Sequence, residues 1–169
     1  MATERIKMIL DIHQSTINPI YKALDGITDE QLNWRPVSES RSVKEITLHL
    51  IRVDNYFLKR LGKEIEIIAN KELSLTEVLT ELKKVHQQIR NTISDCNDDA
   101  AVFLKSSISD ANDNDNINNH ILHSCQHNLY HLSQMIYLRR ALDRKWDSLV
   151  KDWDTATRII ADYLSPETD

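Results

Sequence analysis

Apolar residues recur roughly every three to four positions along most of the chain, the period of helices that bury one face. Ile6, Ile9, Leu10, Ile17, Ile20 and Leu24 mark a first helix from about Thr3 to Leu24. Pro19 lies inside it, lacks a backbone donor and crowds the preceding turn, so a kink near Asn18-Pro19 or a restart is expected. The stretch from Gly26 to Arg41, with Trp34-Arg35-Pro36 and several serines, reads as a long connection. Ser42-Val43-Lys44-Glu45 is a capping-box pattern, in which the Ser42 hydroxyl accepts from the Glu45 amide and the Glu45 side chain reaches back. Behind it, Val43, Ile46, Leu50, Val53, Phe57 and Leu61 form the stripe of a second helix that Gly62 stops. Ser74-Leu75-Thr76-Glu77 repeats the cap and opens a third helix, with Val78, Leu82, Val85, Ile89 and Ile93 in a near-heptad seam.

The polar, acidic stretch from about Ser94 to Asn116 reads as a surface loop. A fourth helix is expected from about Ile117 to Leu142. A fifth, from about Lys145 to Leu164, carries Trp146, Leu149, Val150, Trp153 and Ile160 at core spacing and ends at Ser165-Pro166. No strand and no internal repeat stands out. The pattern predicts an all-α protein: a four-helix bundle with long connections and an additional C-terminal helix, in a single domain over residues 1–169.

Composition narrows the function classes. Only two glycines leave no glycine-rich phosphate loop, and two cysteines, Cys96 and Cys125, make no disulfide framework or close-spaced zinc motif. They read as buried thiols. A net charge of −5 without a basic run gives no footprint for nucleic acid or an anionic membrane. No apolar run is long enough to cross a bilayer and the first residues mix charges, so a cytoplasmic location is expected.

Four of the seven histidines, His120, His123, His127 and His131, fall in the fourth helix. At about 100° per residue, His120, His127 and Gln134 share nearly one azimuth, with His131 about 40° aside and one turn on. Two imidazoles four apart can grip one ion of the zinc, nickel, copper or iron type. By itself such a pair is more often on a surface or in a satisfied core than a pair of ligands, and a third ligand is needed. His49, at the edge of the second helix's stripe beside Tyr56, is a candidate, with a backbone-bonded boundary histidine as the alternative. His13 falls mid-stripe in the first helix, either as a core histidine or lining a metal cavity. His86 reads as structural or solvent-facing, and His120 and His123 either support ligands from behind or are solvated.

At these residues the chain resembles a known family. Leu32-Asn33-Trp34-Arg35-Pro36, followed by Ser40-Arg41-Ser42-Val43-Lys44-Glu45-Ile46-Thr47-Leu48-His49-Leu50, is similar to the first signature of the DinB-like (DinB/YfiT) superfamily, whose histidine there is a metal ligand. His127-Asn128-Leu129-Tyr130-His131-Leu132-Ser133-Gln134 resembles the second, two ligand histidines four apart and then a glutamine. Ser133 departs from the glycine common at that place. The resemblance implies an up-down-down-up four-helix bundle, often dimeric, and a divalent metal held by His49, His127 and His131. Zinc or nickel comes first, with iron or manganese as alternatives. Characterised members include transferases and isomerases that use bacillithiol, mycothiol or related thiols.

Three neutral histidines leave a divalent ion with an open position, the arrangement of catalytic sites. The expected function is therefore thiol transfer or hydrolysis on a small-molecule substrate, with a low-molecular-weight thiol as cosubstrate and a homodimer as the assembly. A non-catalytic metal- or ligand-binding bundle with a role in stress is the rival, because no general base is placed by spacing. Glu45, four residues before His49, could orient it or serve only as a cap. Trp34 and Arg35 are candidates for the cavity mouth, with Trp34 alternatively anchoring its loop.

Overall fold

The computed structural model describes residues 3–146, 155, 157–159 and 161. Four long helices, α1 (Glu4–Leu24), α3 (Val43–Arg60), α4 (Leu75–Ser94) and α5 (Ile117–Leu142), carry the fold, with a short α2 (Asp29–Asn33) and a 3-10 turn (Asp99–Phe103) in the connections. There is no strand among the described residues. Both capping boxes form: the Glu45 amide donates to Ser42 Oγ at 3.2 Å while Glu45 Oε2 accepts from the Ser42 amide at 3.0 Å, and Ser74 and Glu77 do the same. Asn116 caps α5 by accepting from the Asn119 amide at 2.9 Å.

The helix directions follow from which residues meet. Tyr21 touches His86 and Gln14 touches Arg90, so α1 and α4 run antiparallel. His49 meets His127 while Arg60 meets Asp115, so α3 and α5 are antiparallel. Arg139 donates to the carbonyl of Asp25, bringing the C-terminal ends of α1 and α5 together and making that pair parallel. The bundle is thus up-down-down-up, as the resemblance implied. Two consecutive parallel helices, α3 and α4, need a return path. Residues 63–72 supply it, running back along them with Arg52 donating to the Ala69 carbonyl and the Ile68 amide donating to Glu81. Burial alternates along this segment, with Ile65, Ile67 and Ala69 packed against the core.

Of the two outcomes expected at Pro19, a restart is excluded: α1 is one helix, and Pro19 is buried within it between Ile17 and Ile20. Two expectations need correction. The Gly26–Arg41 connection is not without structure. Thr28 and Gln31 form a third capping box that opens α2, and Leu32 is wholly buried beneath it. The Ser94–Asn116 stretch is more than surface loop: Val102 is fully buried, and the Arg60 guanidinium binds both Asp110 and the buried Asp115. That guanidinium, with the Asn112 amide, holds the Asp115 carboxyl well below the usual carboxylate range. Of the expected fifth helix, Trp146 packs against the core beside the Arg139 guanidinium, and residues 155, 157–159 and 161 are helical. Leu149, Val150, Trp153 and Ile160 lie outside the described residues.

Candidate metal centre

Helix α3 presents His49 two turns beyond its Ser42 cap, and α5 presents His127 and His131 one turn apart on the side that faces it. Their Nε2 atoms converge. His127 Nε2 lies 3.1 Å from His49 Nε2 and 3.1 Å from His131 Nε2, and one nitrogen from each residue lies within 4.8 Å of the other two. A ring nitrogen has a single in-plane position, which either donates one proton or accepts one. His127 Nε2 therefore cannot make straight hydrogen bonds to both neighbours in any protonation state. A cation shared by three lone pairs resolves that conflict. With ligand bonds of about 2.0–2.1 Å, neighbouring imidazole nitrogens sit about 3.0–3.4 Å apart, so the residues fit a divalent ion.

The surroundings favour the ligating, neutral form. Burial and then the charges of His131 and His49 hold the His127 pKa down to about 4, while the Asp54 carboxylate acts the other way. His49 and His131 are also lowered, each chiefly by burial and further by the Arg41 charge. Gln134 fixes one ring: its Oε1 accepts from His131 Nδ1 at 2.8 Å, which leaves the His131 Nε2 lone pair free. His127 Nδ1 is buried with no hydrogen-bond partner among the described residues.

The other residues singled out from the sequence lie elsewhere. Glu45 spends both oxygens away from His49, Oε2 on the Ser42 amide and Oε1 on Arg35 and Lys71, at 2.7 and 2.9 Å. It is a cap and an ion-pair partner. Trp34 packs against the core and anchors its loop, and Tyr56 is exposed beside Phe57. His123 is exposed against the Phe57 ring, and His120 is committed to Asp115 at 2.9 Å. Cys125 is buried, which pushes its thiol up to about 12 and leaves it inert, while Cys96 is half-buried.

His13 and His86 belong to a second, wholly internal polar group. His13 is fully buried edge-on to His86, and His86 accepts or donates at Nδ1 with the Tyr21 hydroxyl at 2.8 Å. His86 Nε2 faces Asp54 Oδ2 at 3.3 Å, and Ser124 Oγ donates to Asp54 Oδ1 at 2.6 Å. His13 is therefore a core histidine, and His86 is not solvent-facing. Asp54 was not singled out in the sequence. Its signal was there: an acidic residue between Leu50 and Phe57, on the apolar stripe itself.

Beside His49 and His131 opens a cavity of about 690 Å³, lined among others by Arg41, Ile46, Tyr130 and Tyr137. No helix among the described residues is long and apolar enough to cross a membrane. Comparison with curated proteins gives no match. The family model of the DinB superfamily matches residues 14–135, a stretch that contains all three histidines and well over half of the sequence. By that match, and by the bundle topology that brings the three side chains together, the chain belongs to the DinB superfamily.

Proposed function

We propose that the protein is a metal-dependent enzyme in which His49, His127 and His131 hold one divalent ion, zinc or nickel before iron or manganese, for thiol transfer or hydrolysis on a small molecule. The observation that carries this reading is the double contact of His127 Nε2 with two other Nε2 atoms at 3.1 Å, which protons cannot satisfy and a cation can. Bound there, such an ion acidifies a coordinated water or thiol enough to supply a nucleophile at neutral pH. The chain's own contributions are to orient and to shield. Gln134 holds the His131 tautomer, and burial keeps all three imidazoles unprotonated near neutrality. The adjoining cavity gives a small molecule room beside the open side of the triad, between Ile46, Tyr130 and Tyr137.

One observation favours the rival reading of a non-catalytic binding module: among the described residues no carboxylate lines this cavity, so no side chain there is an evident general base. Metal analysis of purified protein and of His131→Ala, followed by turnover assays with bacillithiol, glutathione and coenzyme A, tests both. The variant should lose the ion and keep its helical content, because the core stripes are untouched. Stoichiometric metal in His131→Ala overturns the ligand assignment. Bound metal without thiol or hydrolytic turnover favours the binding module.

A further inference from the structure

The cavity beside the histidine triad has an asymmetric charge. The chain as a whole is acidic, with 26 Asp and Glu against 21 Lys and Arg. Yet among the described residues the lining includes no carboxylate and one permanent cation, Arg41. Its neighbour in the same loop, Arg35, is neutralised by Glu45 at 2.7 Å. Arg41 has no hydrogen bond or ion pair with any described residue. An exposed, solvated arginine is the ordinary state of such a residue. Two observations set this one apart. It lines the same cavity as the ligand histidines His49 and His131, so it stands close to where a ligand must sit. And the rest of the wall is built for an organic molecule: Tyr130 and Tyr137 are 60% and 69% exposed along the same cavity, with Ile46 and Leu138 behind them.

We infer that Arg41 is an anion-recognition residue, and that the ligand of this site is a small organic anion carrying a carboxylate or sulfonate on a short apolar stem. The inference rests on the proposed metal site and adds the substrate class. Arg41 offers a planar fork of donors matched to such an anion. The tyrosine rings cover the stem, and the donor atom at its other end faces the three Nε2 atoms. A divalent ion with three neutral ligands adds positive charge to the same space, so a neutral ligand forgoes attraction from both ends of the cavity.

Cobalt-substituted protein gives a readout that does not depend on turnover. A thiol that reaches the ion perturbs the cobalt absorption, and titration yields its dissociation constant. The probes are 3-mercaptopropionate and the neutral 3-mercapto-1-propanol, which share a stem and differ in the terminal group. Wild type should bind the carboxylate about fivefold more tightly or better, an advantage that shrinks as salt is added. Arg41→Gln should bind cobalt in full and lose the preference, while Arg41→Lys should retain part of it. Equal affinity of the two probes in wild type overturns the role of Arg41 and leaves the metal site standing, as does a preference that survives in Arg41→Gln. Failure of wild type to bind cobalt, or cobalt that neither thiol perturbs, overturns both the proposed function and this inference.

Discussion

The buried pair Asp54 and Ser124 offers a quantitative test of how the bundle is held. Asp54 is 1% exposed and Ser124 wholly buried, and the Ser124 hydroxyl donates to Asp54 Oδ1 at 2.6 Å across the α3–α5 interface. Ser124→Ala removes a hydrogen bond to a charged group and leaves Oδ1 without that donor. The expected cost is about 2–3 kcal/mol. For a chain of this length it should lower the melting temperature by roughly 4–12 °C. Asp54→Ala strands the Ser124 hydroxyl, removes the carboxylate that faces His86 Nε2 and opens a small void, for about 3 kcal/mol or more. The two losses share one bond, so the double variant should be less unstable than their sum by about 1.5–3 kcal/mol. Urea unfolding of wild type, both single variants and the double variant, followed by far-UV circular dichroism, measures that coupling. A coupling below about 0.5 kcal/mol would refute the claim that this bond ties the two helices. Ser124→Ala should keep its metal, since no ligand is touched.

Gln134→Leu should leave the fold intact and weaken metal binding by about 10- to 100-fold in a chelator competition, because the His131 ring loses the acceptor on Nδ1. The His13 pKa is pushed down from the ordinary 6.5 to about 3, first by burial and then by the His86 charge. A depressed value means that the unfolded chain takes the proton first, so stability from this group is full above about pH 6.5 and falls as the pH drops towards 3. His13→Leu should therefore gain relative to wild type on acidification, by about 2–3 kcal/mol near pH 4.5, as read from urea midpoints; a constant difference across pH would contradict the assignment. Gly62 has φ +71°, and a Cβ there would meet Ile108 Cγ2 at 3.4 Å, so Gly62→Ala should cost about 1 kcal/mol in the same unfolding assay.

What could be read from the chain, and what could not, divides by the range of the interactions. The Ser42 and Ser74 caps and the limits of α5 rest on bonds between residues three or four apart, which the sequence displays directly. The three histidines were legible because two lie four apart on one helix and the third sits in a second recognisable motif. The Thr28-x-x-Gln31 box of α2 was equally local, but Pro36 and the serines beyond it masked a helix of a single turn and a half. Asp54, His86 and His13 were not legible as a group, since each finds its partner on a different helix. Glu45 shows the converse case: its sequence position allowed both an orienting role and a cap, and the cap formed while Arg35 and Lys71 took the free oxygen.

The position of the triad follows from the register of α3 against α5, which polar contacts mark at three successive levels. Arg60 binds Asp115 at one end, Asp54 accepts from Ser124 in the middle, and His49 meets His127 and His131 beyond. At about 1.5 Å per residue these levels span roughly 16 Å of the interface, with the buried side chains of Leu50, Ile121, Cys125 and Leu132 in the core beside them. A slip of one residue would rotate each partner by about 100° and separate all three pairs at once. The first two levels therefore act on the metal site without touching it: they determine that His49 arrives opposite the gap between His127 and His131. Loss of one level leaves two to hold the register. That is why the Ser124 variant should lose stability and keep its ion, whereas the His131 variant should lose its ion and keep its helical fold.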